Sequence, residues 1–160
     1  MMRQLLFALI VLGSFTASAQ RLSTTFANDE SQWNWDGSTF QTTFNDDWDN
    51  WKYGSIQIRT TFSNDWDSWE IGSNVTLKTV FSNDFEQWEI RDGSQTIRVR
   101  TTFNDDHERW DISGDADGRI RTVFANRYEQ WDIDIDGDVS EEVEAAIGFI
   151  AVFTAFHLEN

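Results

Sequence analysis

The hydrophobic and polar positions of this chain follow one pattern that repeats six times. In every copy a Phe is followed seven residues later by a Trp, and successive Phe residues stand 18, 18, 19, 22 and 21 positions apart. A tandem repeat of this length constrains the architecture more firmly than local propensity does, because every copy has to form the same small unit. The six pairs are Phe26/Trp33, Phe44/Trp51, Phe62/Trp69, Phe81/Trp88, Phe103/Trp110 and Phe124/Trp131.

The residues before each Phe alternate in polarity when the Phe is counted as position zero. Position −4 is aliphatic or aromatic in every copy, position −2 is always Thr, and position −3 is basic in the last four copies. This alternation of β-branched and polar residues is typical of a half-buried strand. Because positions −4, −2 and zero share one parity, the pattern predicts a buried face that the Phe side chains also line.

A second, shorter alternation follows each Trp. In the last four copies position +8 is acidic and position +9 is Ile, so Trp and Ile share a face. Gly-containing segments then separate the copies, and Gly supplies the positive φ that tight hairpins need. The sequence therefore predicts a mainly β fold over residues 20–138, an antiparallel meander or barrel-like sheet of about twelve short strands from six tandem repeats of about 20 residues.

The connector between Phe and Trp is equally regular. Position +2 is Asn or Asp in all six copies, and position +5 is acidic in five of them. An Asx residue followed three positions later by an acid resembles a capping box, which predicts one capped helical turn here.

A parallel β-solenoid with one coil per repeat is the alternative architecture. Stacked coils would place the basic residues of position −3 in one column and the acids of position +8 in another, and like charges directly opposite destabilise a sheet. An antiparallel meander places the basic strand beside the acidic strand, so charge favours the meander.

The last segment, residues 139–160, predicts one α-helix. Ser140 and the acids after it form a helix start, and residues 143–156 are almost wholly apolar. A helix that is apolar all round belongs in a core, so we expect the sheet to curl around it or to pack it against one side.

A transmembrane barrel is a further alternative, but the second strand of each repeat is shorter than the roughly 9–11 residues that crossing requires.

The N-terminal residues 1–19 have the pattern of a secretory signal peptide. Arg3 precedes an apolar run, and Ala17-Ser18-Ala19 forms a small-residue cleavage site. We therefore expect a periplasmic or secreted protein.

The mature chain is strongly acidic. Residues 20–160 carry 28 acidic and 11 basic residues and no Cys, and the resulting net charge of −17 repels nucleic acid.

Position +4 offers the first candidate site. It lies within the connector, three residues before the Trp, so its planar side chains form a row along one rim of the sheet. Exposed aromatic rows bind sugar rings or protein partners, whereas buried ones would close the end of the core. The candidate ligand-binding residues are Trp48, Trp66, Phe85, His107 and Tyr128.

The second candidate is a calcium site formed by Asp134, Asp136 and Asp138. The run from Asp132 to Asp138 matches the opening of an EF-hand loop, but Val143 stands where the bidentate Glu belongs. A looser site of these three residues, or one at Asp115 and Asp117, therefore stays open, and an acidic solvated turn is the alternative.

Catalytic chemistry has little support in the sequence. There is no Cys, there are only two His residues, and no Gly-Xaa-Ser-Xaa-Gly segment occurs. We therefore predict a non-enzymatic binding or surface-structural module, with carbohydrate or protein as its ligand and no resident cofactor. The alternatives are a calcium-dependent version of that module and a glycan-active hydrolase with paired carboxylates.

Overall fold

The protein is described by a computed structural model that covers residues 19–159. The predicted signal peptide lies outside the described residues, apart from Ala19. The structure contains twelve strands and one helix: β1 (Gln20–Thr24), β2 (Gln32–Trp35), β3 (Ser38–Thr42), β4 (Asn50–Tyr53), β5 (Ile56–Phe62), β6 (Asp65–Ile71), β7 (Val75–Thr79), β8 (Gln87–Asp92), β9 (Gln95–Thr101), β10 (Arg109–Gly114), β11 (Asp117–Phe124), β12 (Arg127–Asp136) and α1 (Glu141–Glu159).

The twelve strands form one closed antiparallel barrel. Each strand pairs with its neighbours in sequence, and β1 also pairs with β12, which closes the ring. The predicted mainly β fold of six two-stranded repeats is therefore confirmed. The solenoid alternative is wrong, because every pairing is antiparallel and equivalent strands of successive repeats lie two positions apart.

The helix occupies the inside of the barrel. From Val143 to Phe156 nearly every side chain is buried, on all sides of the helix. The inward positions of the strands are buried as well, including all six residues at position −4 and all six repeat Trp residues. Of the two arrangements expected for the helix, the sheet thus curls around it, which removes both the unpaired sheet edges and the exposed apolar face.

Aromatic side chains fill the space between the helix and the strands of the second, third and fourth repeats. Phe149 packs edge-on against Trp69 with ring centres 4.8 Å apart. One turn later, Phe153 packs against Trp88 at 5.2 Å, and Phe156 stacks on Trp51 at 5.5 Å. The three Phe residues follow the i, i+4, i+7 spacing that places them on one helix face.

The start of the helix is fixed to the hairpins at the same end of the barrel. Ser140 Oγ accepts the Val143 N–H at 3.3 Å, as an N-cap does. The Glu142 carboxylate accepts the backbone N–H groups of Ser73 and Asn74, at 3.1 and 3.2 Å, in the hairpin between β6 and β7.

Between residues 19 and 159, no helix combines the length and the hydropathy that crossing a bilayer requires.

Opposite charges pair across the outer wall, as the meander predicts. Arg59 and Glu70 form an ion pair of 2.8 Å. Arg21 of β1 forms another, at the same distance, with Asp132 of β12, the two strands that close the barrel. These pairs are exposed, so each contributes about 0–1 kcal/mol and mainly sets the register. The four basic residues of position −3 stand opposite the acids of position +8: Arg59↔Glu70, Lys78↔Glu89, Arg100↔Asp111 and Arg121↔Asp132.

Gly148 lies where the helix passes closest to the Trp35 ring, so we predict that Gly148→Ala destabilises the protein. In an exposed helix this change would stabilise by about 1 kcal/mol. Here an added Cβ would lie 2.5 Å from Trp35 Cζ3 and 3.1 Å from Phe40 Cζ, so we expect a net loss of about 1–3 kcal/mol from overpacking. Chemical denaturation of both proteins measures the change, and a more stable variant would contradict it.

Candidate binding surface

The six connectors between Phe and Trp lie together at one end of the barrel. In an antiparallel meander alternate connections fall at the same end, and here it is the end at which the helix finishes, because Phe156 and His157 contact connector side chains. We call this end the Phe rim. It comprises residues 26–32, 44–50, 62–68, 81–87, 103–109 and 124–130.

Each repeat Trp fastens its own connector to the core. The Trp69 indole Nε1–H donates to the Trp66 backbone carbonyl at 2.8 Å, while the ring itself is fully buried. The buried donor is thereby satisfied within its own repeat. The same bond joins positions +7 and +4 in the other five copies, at 2.6–3.0 Å: Trp33 to Glu30, Trp51 to Trp48, Trp88 to Phe85, Trp110 to His107 and Trp131 to Tyr128.

The connector begins with a β-turn, so the prediction of one helical turn capped by the Asx at position +2 is wrong. The Phe81 carbonyl accepts the Asp84 N–H at 3.1 Å, and Asn83 between them has a φ of 57°. All six residues at position +2 have φ of 57–59°, a left-handed conformation that Asn and Asp tolerate better than other non-glycine residues. The Asx residue at +2 is thus required by backbone geometry rather than by capping.

In the second to fifth copies, the acid at position +5 links its repeat to the next. The Asp49 carboxylate accepts the Asn64 N–H at 2.9 Å, and the Glu86 carboxylate accepts the Asp105 N–H at 2.9 Å. Glu108 accepts the Asn126 N–H in the same way. These bonds hold adjacent turns in register around the Phe rim.

Asp67 makes the fullest set of these contacts. Its carboxylate accepts the Thr79 and Ser82 hydroxyls at 3.0 and 2.7 Å and the Asn83 N–H at 2.8 Å. Burial opposes ionisation of Asp67, but the three hydrogen bonds outweigh it and lower the pKa of the carboxyl. The charged form is therefore the one that the fold stabilises.

We predict that Asp67→Asn destabilises the protein at neutral pH and that the difference from wild type disappears in acid. A carboxyl with a lowered pKa contributes stability that is present above its unfolded pKa, about 3.9, and lost as the pH falls through its folded pKa. We expect a loss of about 1–2 kcal/mol at pH 7. Urea unfolding from pH 7 to pH 2.5 measures it, with the exposed Asp138→Asn as control; a difference independent of pH would contradict the prediction.

The predicted ligand-binding aromatics of position +4 are half-buried and close the end of the barrel. Trp48 stacks on Phe156 with ring centres 5.1 Å apart, and Phe85 packs on His157 at 4.6 Å. Burial first, and His107 second, lower the pKa of His157. Ligand binding by this row stays a prediction, but these rings already pack on the core: Trp48, Trp66, Phe85 and Tyr128 against the buried cluster, and His107 against Trp110.

The Phe column itself is exposed, contrary to the prediction that it lines the buried face. The register shifts between Thr60 and Phe62, and again between Thr122 and Phe124. In these two copies the inward and outward alternation does not continue past the irregularity. In the other four copies the strand ends at the Thr of position −2, so the parity that buries position −4 does not extend to the Phe. The exposed fractions are 60% for Phe26, 67% for Phe44, 67% for Phe62, 59% for Phe81, 58% for Phe103 and 54% for Phe124.

The three predicted calcium ligands lie along β12 and the segment after it, and calcium binding by them stays a prediction. Among residues 19–159, no three His, Cys, Asp or Glu side chains are grouped so as to hold a metal ion. Asp134 stands opposite Arg119 and Asp136 opposite Asp117 in the pairing of β11 with β12. The run from Asp132 to Asp136 is a regular strand, so its alternate acids point outward along the wall instead of converging as a loop would allow.

The open depressions of the described surface lie on the outer wall and at the Phe rim. One lies on the wall beside Lys78, Glu89 and Arg91, and another lies against Phe103 and Arg109. The interior is occupied by the helix, so the six exposed Phe residues are the most prominent apolar feature available to a partner. Comparison with protein-family models, curated proteins and solved structures found no match.

Proposed function

We propose that this chain is an exported, non-enzymatic binding module whose Phe rim binds a polypeptide partner. One observation carries the proposal: each of the six repeats presents one Phe at the same rim, more than half exposed. A row of exposed aromatic side chains is typical of an interaction site, and each Phe buried at an interface contributes about 1.5–3 kcal/mol.

Comparison of the six copies supports a role outside the core. The buried position −4 is occupied by four residue types, namely Leu, Phe, Ile and Val, whereas the exposed position zero is Phe in every copy. The buried position −4 therefore tolerates substitution, whereas the exposed position zero is as invariant within the chain as the buried Trp at +7. A side chain that contributes little to packing is invariant here, which favours recognition as its purpose.

The spacing and the chemistry of the Phe residues favour an extended polypeptide over a single sugar. Equivalent residues of successive repeats lie two strands apart, roughly 10 Å in the hydrogen-bonding direction. A single sugar ring cannot span that distance, but an extended segment of protein contacts several Phe residues at once. Phe also lacks the polar group by which Trp and Tyr combine stacking with hydrogen bonding.

Array binding tests the proposal. Labelled mature protein is applied to an array of random-sequence peptides and to a glycan array, beside the variant Phe44→Ser/Phe62→Ser/Phe81→Ser. We expect peptide signals that the triple variant loses while its melting temperature changes little, since the replaced rings are exposed. A control variant, Ser55→Ala/Ser73→Ala at the opposite end, should keep the signals. Peptide binding that survives in the triple variant, or glycan signals alone, would overturn the proposal.

A further inference from the structure

The fifth repeat already holds a guanidinium group against its Phe. The Arg109 Cζ atom lies 5.4 Å from the centre of the Phe103 ring. Arg109 also donates to Asp106 Oδ2, through Nη2 at 2.9 Å and Nε at 3.0 Å. Asp106 Oδ1 meanwhile accepts the Glu108 N–H at 3.0 Å, which fixes the carboxylate. Phe at zero and Asp at +3 thus form a guanidinium seat, with an aromatic face on one side and an anchored carboxylate on the other.

The first four repeats contain the same two residues without a cation at position +6. Their Asp side chains accept the N–H of position +5 through Oδ1, at 3.0–3.2 Å, as Asp106 does. Position +6 is uncharged in these copies, and in the second copy Asn50 donates to Asp47 Oδ2 where Arg109 would. The four further seats are Phe26/Asp29, Phe44/Asp47, Phe62/Asp65 and Phe81/Asp84.

The charge of the Phe rim fits a cationic occupant. Of the 28 acidic residues, 13 lie in the connectors, against two basic residues, Arg109 and Arg127. The other nine basic residues after residue 19 lie in the strands of the wall. A surface that is both apolar and strongly acidic repels a second copy of itself and anionic lipid, and attracts apolar, positively charged chains.

We propose that the Phe rim binds an arginine-bearing segment of another protein, with guanidinium groups in the seats of successive repeats. This inference rests on the proposed function and specifies its partner. Neighbouring seats lie roughly 10 Å apart, and a polyproline II chain with Arg at every third residue advances roughly 9 Å between Arg side chains on one face. Lys is the weaker ligand, since its ammonium is neither planar nor able to stack as a guanidinium does.

Fluorescence anisotropy with two labelled peptides, (Arg-Pro-Pro)4 and (Lys-Pro-Pro)4, tests the inference at physiological salt. We expect the mature protein to prefer the Arg peptide. Phe62→Ser/Phe81→Ser removes two aromatic faces without changing charge, so affinity for the Arg peptide should fall about tenfold. Ser55→Ala/Ser73→Ala, at the end of the barrel opposite the Phe rim, is the control: it leaves every seat in place, so affinity should stay within about twofold.

A gain of affinity provides the sharper test. Arg109→Ser empties the fifth seat and should strengthen binding of the Arg peptide. Arg98→Ser removes the same charge from the outer wall and should have a smaller effect. Equal binding of the two peptides, or an unchanged affinity in Phe62→Ser/Phe81→Ser, overturns the arginine inference. Phe-dependent binding of uncharged peptides, without preference for Arg, overturns it while sparing the proposed function; binding to phosphatidylcholine vesicles alone overturns both.

Discussion

Truncation after Val139 is expected to abolish cooperative folding. The deletion removes the helix whose side chains are buried on every side, and it leaves the inward Trp and Ile residues of twelve strands around an empty lumen. A cavity of that size cannot be closed by local relaxation, because the barrel circumference is fixed by its strand number. Size-exclusion chromatography, near-ultraviolet circular dichroism and urea unfolding report the result. A truncated chain that remains monomeric and unfolds cooperatively would contradict it.

A pair of identical substitutions provides the control for this prediction. Phe153 is 1% exposed inside the barrel, whereas Phe62 is 67% exposed on the rim. Phe153→Ala should cost about 3–5 kcal/mol, and Phe62→Ala should change stability by less than about 1 kcal/mol. We also expect a synthetic peptide of residues 140–160 to restore near-ultraviolet circular dichroism to the truncated chain, because it supplies the missing core.

Replacement of a repeat Trp is expected to have the second largest effect. Trp69 is fully buried, packs against Phe149 and Phe153, and donates its indole N–H to the Trp66 carbonyl. Trp69→Ala removes both the packing and the bond, so we expect a loss of about 3–5 kcal/mol.

The variant Trp69→Phe separates the two contributions. It keeps an aromatic ring but leaves the Trp66 carbonyl without its donor, which should cost about 1–3 kcal/mol. Denaturant unfolding of the two variants measures the difference between them. If Trp69→Phe were as destabilising as Trp69→Ala, the hydrogen bond rather than packing would hold the connector. If it matched wild type, the bond would contribute nothing.

Much of the architecture can be predicted from the sequence because each position of the repeat occurs six times, so its preferred residue type can be recognised. The buried parity of position −4, the Trp at +7 and the opposition of Arg59 to Glu70 all follow from alternation and charge. The closure of the barrel, by contrast, cannot be predicted from the repeat. The pairing of β1 with β12 joins residues more than a hundred positions apart, and no local pattern in either strand specifies it.

The candidate site could be predicted only in part. The row at position +4 was visible as a column of planar residues, but its burial depends on where the helix ends, which alternation does not reveal. The exposure of the Phe column depends on where each strand ends or shifts its register, as between Thr60 and Phe62, and alternation does not reveal either. One signal was available: position +2 is always Asn or Asp, and such residues at a fixed column indicate left-handed backbone geometry. Arg109 at +6 was also visible, but only the folded chain places it over Phe103.

The helix inside the barrel restricts the number of repeats that this fold can accommodate. Barrel diameter grows with strand number, so a seventh copy would add two strands and widen the lumen beyond what Phe149, Phe153 and Phe156 fill. Deletion of one copy would instead remove two strands, narrow the lumen and crowd the same rings. Tandem arrays usually lengthen or shorten with little penalty because each unit touches only its neighbours. Here duplication or loss of one unit is penalised at once, so evolution of this array has to proceed by substitution within copies rather than by changing their number.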